Sequence, residues 1–218
     1  MSEIDYSKLN KMPLGDVMFS QRSVRRYKPD PIPYEDLHLI MEAAVKAPNG
    51  GNAQPARFVL LTGRKVIQEM GSLYREAWWA KRRDAGTGWK TIDDIPAEER
   101  TSRSAARLAD AMKDVPAIVL CFGRKSARGD VDSGSVIPAV QNLMLAARAL
   151  GIGSLPTTLH ADVMERVYNL LGVPETASFH FLVPLGYPAS ERAFGPTSRK
   201  PTSETVFLDQ WGGQVPWS

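Results

Sequence analysis

Between Gln21 and Tyr27 the chain reads Gln-Arg-Ser-Val-Arg-Arg-Tyr, which places Arg22, Arg25 and Arg26 around Ser23. This composition suits a phosphate: arginine's planar fork meets two oxygens at once, and a serine hydroxyl with nearby backbone N–H groups completes the cradle. A short basic run can equally be a solvated face, and only the rest of the chain separates the two readings. A second loop, Pro48-Asn49-Gly50-Gly51-Asn52-Ala53-Gln54-Pro55, carries no charge and only small, amide or proline side chains. Its glycines permit close backbone approach, and its amides offer donors and acceptors to a heteroaromatic ring. The same residues also suit an ordinary turn.

A third stretch, Gly151-Ile152-Gly153-Ser154-Leu155-Pro156-Thr157-Thr158, superficially matches a dinucleotide fingerprint. It is not one, because the third glycine is missing and the order is helix, glycines, strand rather than strand, glycines, helix. Two readings stand: a strand end presenting hydroxyls to a ligand, or a helix C-cap and turn. Residues able to catalyse on their own are scarce. His38, His160 and His180 are far apart, and neither a nucleophile elbow nor a P-loop occurs. Cys121 sits within Ala117-Ile118-Val119-Leu120-Cys121-Phe122, an apolar run in which a thiol acts as a small hydrophobe. Asp130 and Asp132 lie beside glycines at a spacing that reads as a turn and helix entry. Ligand-holding features without a protein-borne catalyst point to a cofactor that does the chemistry.

The elements that must carry these loops follow from periodicity. Leu14–Gln21 is a short helix delivering the arginines. Pro33 opens a second helix in which Leu37, Ile40, Met41, Ala44 and Val45 face a core and His38 lies on the polar side. Arg57–Thr62 is a strand closed by Gly63, and Lys65 begins a helix through about Tyr74. The stretch 74–107, with Trp78, Trp79 and Trp89 among basic residues, is too long for a plain connection and reads as a helical excursion or lid. Val115–Phe122 is a central strand. Ser135–Leu150 is a helix apolar most of the way round, so several neighbours, among them a partner subunit, must cover it. Ala161–Leu171 is a helix, Phe179–Leu185 a strand, and Thr205–Trp211 a strand-like segment in a tail that docks on something.

With 218 residues, a net charge of +3 and no linker or repeat, residues 1–218 read as one domain that binds a small anion rather than nucleic acid. One cysteine excludes an internal disulfide. The start shows no signal peptide and no apolar run reaches membrane length, so a cytoplasmic protein without a membrane partner is expected.

Taken together, Arg22 to Tyr27, Ala47-Pro48 through Gln54-Pro55, Gly151 to Ser154 and Arg199-Lys200-Pro201 resemble the FMN-dependent nitroreductase family in order and spacing over nearly the whole chain. The resemblance implies an α+β fold, a central, mostly antiparallel sheet wrapped by helices. It implies a domain-swapped homodimer, with FMN sites at the interface and the tail 199–218 crossing to the partner. Carried over, Arg22, Ser23 and Arg25 hold the FMN phosphate and ribityl or the pyrimidine edge, and Arg199 is a second phosphate ligand. Pro48, Asn49, Asn52 and Gln54 contact the flavin from the other subunit. Pro156, Thr157 and Thr158 lie against the isoalloxazine ring, where a backbone N–H near N5 tunes hydride transfer. Arg26 and Lys200 adjoin these groups without an assigned role. The chain departs from the family pattern at Asn49, where serine is common, and at Ala56, where tryptophan is common. The implied activity is NAD(P)H-driven, ping-pong reduction of nitroaromatics, quinones or similar electron-poor aromatics. A reductive dehalogenase, a flavin-fragmenting enzyme or a non-catalytic flavin-binding protein are the alternatives.

Overall fold

The computed structural model describes residues 5–125 and 133–217. Asp130 and Asp132 lie outside them. The elements run α1 (Leu14–Ser20), α2 (Tyr34–Val45), β1 (Arg57–Leu61), α3 (Arg64–Asp84), α4 (Arg100–Ala111), β2 (Ala117–Arg124), α5 (Ser133–Ala149), β3 (Gly153–Ser154), α6 (Ala161–Leu171) and β4 (Ala177–Gly186). The four strands form one sheet in the order β1-β2-β4-β3, antiparallel throughout.

Strand alternation explains why β2 is apolar along almost its whole length. Ile118, Leu120 and Phe122 point to one face, where they meet Ile67, Met70, Tyr74 and Trp78 of α3, Leu108 of α4 and Val163 and Val167 of α6. Ala117, Val119 and Cys121 point to the other, against Leu37, Ile40 and Ala44 of α2 and Val136, Val140, Leu143 and Ala147 of α5. Helices therefore cover both faces, and β2 is central and buried. Burial pushes the Cys121 thiol up to about 12, so it stays protonated and inert.

Three details differ from the sequence reading. Pro33 is the N-cap of α2 rather than its first helical residue. Val45, expected to face the core from α2, is 56% exposed. The segment Thr205–Trp211 forms no strand within the chain. Its backbone closes local turns, with Val206 bonded to Thr202 and Gln210 to Leu208. Val206, Leu208 and Trp211 are exposed, Trp211 by 91%. His38 is on the polar side as expected, beside Glu42.

Candidate active site

The arginine segment is extended and lies along the sheet edge next to β3. Ser23 bridges Ser154 in parallel, the Val24 N–H donates to the Ser154 carbonyl at 3.1 Å, and Lys28 donates to Tyr187 at 2.8 Å. Alternation then turns Val24 into the core, where it is 3% exposed, leaves Arg22 and Ser23 exposed and holds Arg25 half-buried. Two glycines make this approach feasible. A Cβ on Gly153 would fall 2.7 Å from Val24 Cγ1, and one on Gly186 would fall 2.9 Å from Pro116 Cδ and 3.0 Å from Tyr27 Cδ1. Gly151, at φ +74°, closes α5 instead. The glycines of this stretch thus serve a helix end and a close strand approach.

Several exposed arginines elsewhere find acids: Arg64 and Asp114 at 2.6 Å, Arg75 and Asp110 at 2.6 Å, Arg83 and Asp162 at 2.9 Å. Arg22, Arg25 and Arg26 form no ion pair among the described residues. Among the described residues these three guanidinium groups are therefore not neutralised by a carboxylate. After β4 the chain returns to this corner, where the Gly195 N–H donates to the Ser20 carbonyl at 2.9 Å and Arg148 lies 4.0 Å over the Phe194 ring. Arg199 follows four residues after Gly195, exposed and donating to the Ser198 carbonyl.

The Pro156–Thr158 segment joins the same edge. Thr157 exchanges both backbone hydrogen bonds with Leu182, at 2.9 and 2.8 Å. Of the three residues expected to offer an N–H, proline has none and that of Thr157 is already used. The N–H of Thr158 donates to nothing among the described residues, so it is the one left for a ligand. Two side chains missed in the sequence meet this segment. The Tyr74 hydroxyl is 3.1 Å from Thr157 Oγ1, and Lys81 Nζ donates to the Thr158 carbonyl at 2.6 Å and to its Oγ1 at 2.7 Å. Burial pushes the Tyr74 phenol up, against the opposing charge of Arg25, which places Arg25 and Tyr74 in one electrostatic neighbourhood. Loss of water, then the neighbouring Arg82, lowers the pKa of Lys81 from the usual lysine value.

The amide loop is elsewhere. Asn49 Oδ1 accepts the Gln54 N–H at 2.8 Å, so Asn49 works inside the loop, while Pro48, Asn52 and Gln54 are exposed. Gly51, Asn52 and Gln54 all take positive φ, 58°, 52° and 48°. For the two non-glycine residues this is strain of order 1–3 kcal/mol each, a cost that concentrates at functional loops. Arg57, also missed, closes the loop by donating to the Gln54 and Ala56 carbonyls at 2.6 and 2.9 Å. The loop leads into β1, at the sheet edge opposite Ser23. Four strand spacings across and five residues along, at ~4.8 and ~3.3 Å each, separate Ser23 from Arg57 by roughly 25 Å. One chain does not bring the arginine segment and the amide loop together.

An antiparallel sheet covered by helices on both faces, with a carboxylate-free arginine segment and a hydroxyl-bearing strand end on one edge, defines an α+β fold. The chain belongs to the Nitroreductase family, whose profile matches residues 19–187. It is 32% identical over 199 residues to an NADH dehydrogenase of Thermus thermophilus, covering 85% of this chain and 91% of the relative. It is 30% identical to an iodotyrosine deiodinase of Thermotoga neapolitana, over 88% and 95% of the two chains. Among solved structures, an iodotyrosine deiodinase bound to FMN and 3-iodo-L-tyrosine superposes with a TM-score of 0.68 at 25% identity, covering 91% of this chain and 99% of that one.

The residues present suit FMN on the structure's own terms. A phosphate monoester needs cations not already neutralised, which Arg22 and Arg25 supply. A flat, polar-edged ring needs a wall with unspent donors, which the Thr158 N–H supplies. Among the described residues no group of three His, Cys, Asp or Glu gathers as a metal site, and no helix is long and apolar enough to cross a membrane.

Proposed function

We propose that this protein is an FMN-dependent oxidoreductase that takes reducing equivalents from NAD(P)H and delivers them to a nitroaromatic, quinone or similar electron-poor aromatic. The observation that carries the reading is the carboxylate-free arginine segment lying against the strand end that presents Thr157 and Thr158. FMN, when bound, supplies the ring that accepts and passes on a hydride. Arg22, Ser23, Arg25 and Arg199 hold its phosphate, ribityl or pyrimidine edge. Pro156, Thr157 and Thr158 form the wall against the ring, with the Thr158 N–H as donor. No side chain is required as an acid, since water protonates the reduced product.

Because the amide loop lies on the far edge, Asn52 and Gln54 reach the ring only from a second copy of the chain, with Pro48 and Asn49 shaping that loop. On this reading the active form is a homodimer, expected in the cytoplasm. Donor and acceptor share one ring face and must bind in turn, so parallel initial-rate lines at varied donor and acceptor are expected. Intersecting lines would count against a shared face. The primary test is an anaerobic visible spectrum of the purified protein before and after NADPH and then NADH. Flavin bands that bleach support the reading, and a colourless protein that takes up no FMN sinks it.

A second reading, reductive dehalogenation, is favoured by the 30% identity to the Thermotoga deiodinase. Iodide release from 3-iodo-L-tyrosine with no turnover of nitroaromatics would select it. Oxygen-dependent loss of the flavin would select a flavin-fragmenting enzyme. Tight FMN binding with no NAD(P)H oxidation would select a flavin carrier.

A further inference from the structure

Tyr74 and Lys81 stand seven residues apart on α3, two turns along one helix face. Each holds one of two consecutive threonines: the Tyr74 hydroxyl meets Thr157 Oγ1 at 3.1 Å, and Lys81 Nζ meets both oxygens of Thr158. The Lys81 contact is more than a surface hydrogen bond. Its ammonium is half-buried, spends two of its three protons on one residue, and forms no ion pair among the described residues. A lysine used only to cap a helix or solvate a surface keeps its charge in water.

Two consequences reach the ligand side of Thr158. With its carbonyl and Oγ1 both accepting from Lys81, Thr158 is fixed in rotamer and retains its hydroxyl proton and backbone N–H as donors. Among the described residues no carboxylate lies within ion-pair distance of the ammonium behind it, the nearest on its helix, Asp84, being bonded to His160, so its charge acts on whatever negative charge develops in front.

We propose that Lys81 is a positioning residue for this site: from α3 it fixes Thr158 and places an unneutralised positive charge behind the wall against which the flavin ring lies. The proposal rests on the flavin reading given above. Its effect is to favour the reduced, negatively charged flavin over the oxidised one, and so to set how readily the site accepts electrons.

The test is a dye-coupled reductive titration of FMN-loaded wild-type, Lys81→Gln and Lys81→Arg proteins. Glutamine keeps a donor for Thr158 but loses the charge, whereas arginine keeps both. Lys81→Gln is expected to lower the flavin midpoint by about 30 mV, a tenfold change in the two-electron reduction equilibrium, and Lys81→Arg to stay near wild type. A Lys81→Gln midpoint equal to wild type overturns the proposal, as does a Lys81→Arg midpoint that falls as far as that of Lys81→Gln. Should Lys81→Gln fail to retain flavin, Lys81→Arg decides alone, a wild-type midpoint supporting the proposal and a lowered one overturning it. Wild-type protein that takes up no FMN overturns the flavin reading first, before any variant is compared.

Discussion

Arg25 has no carboxylate partner among the described residues, so removing it breaks no internal ion pair. Arg25→Ala should leave the thermal midpoint of the apoprotein unchanged and weaken FMN roughly 10- to 150-fold, the equivalent of one charge-assisted hydrogen bond of ~1.5–3 kcal/mol. Fluorescence titration reads this directly, and an unchanged dissociation constant would remove Arg25 from the site. Gly153 does the opposite job, since nothing binds it but everything nearby needs it small. Gly153→Ala puts a Cβ 2.7 Å from Val24 Cγ1. Such overpacking should cost ~1–3 kcal/mol and prise the arginine segment off β3, seen as a lower urea midpoint together with weaker FMN binding. A variant as stable as wild type would show that Val24 shifts freely. The arginines were legible because a dense basic run is a local signal. Tyr74 and Lys81 were not. Lys81 meets Thr158 across 77 residues of sequence, and no local pattern marks such a pairing.

At the scale of elements, α3 decides how the excursion meets the site. Gly71 lets it lie directly on the turn after α4: a Cβ there would fall 2.3 Å from the Lys113 backbone nitrogen. Backbone cannot move aside as a side chain does, so Gly71→Ala should destabilise by about 3 kcal/mol, the upper end for overpacking. A urea midpoint within error of wild type would refute that packing. Helices α3 and α6 are also tied by Arg166 with Glu76 and by Arg83 with Asp162, hydrogen bonds that hold both carboxyls below their ordinary values of 4.5 and 3.8. Depressed folded-state values stabilise above the unfolded pKa and are lost as pH falls through the folded one. The urea midpoint should therefore drop below about pH 4.5, and less so in Arg83→Gln/Arg166→Gln protein; equal profiles would show these pairs contribute nothing. The sequence reads 74–107 as a helical excursion or lid, but where α3 ends was not legible, because Lys81, Arg82 and Arg83 interrupt its apolar stripe and only the core on the sheet shows that Ala77, Trp78 and Ala80 are buried.

At the scale of the molecule, the central place of β2 was the legible part: a strand apolar on both faces needs helices over both, and β2 lies inside the sheet. The fate of the tail was not: Thr205–Trp211 has a strand-like pattern, yet within the chain its backbone closes only local turns. An exposed Trp211 and an apolar groove of about 460 Å³ between α1 and α5, lined by Leu9, Met12, Leu14, Val17 and Leu145, suit a second copy of the chain. If each site takes its arginines from one copy and its amide loop from the other, lesions in the two places should complement. Arg25→Ala and Asn52→Ala/Gln54→Ala proteins, each deficient alone, should regain about a quarter of the wild-type sites when refolded in equal mixture, since half the dimers then carry one intact site. No recovery in a mixture that demonstrably exchanges subunits would mean that each chain is self-sufficient.

The bridge from Ser23 to Ser154 spans 154 − 23 = 131 residues. At 5–20 residues per second a ribosome needs roughly 6–26 s to make the second residue after the first. The arginines therefore emerge early and wait, as a bare cationic stretch, until the edge they must lie on has been synthesised. If the segment holds a cofactor phosphate as proposed, loading belongs after translation, and a stalled or truncated product carries the arginines without the edge that holds them in place.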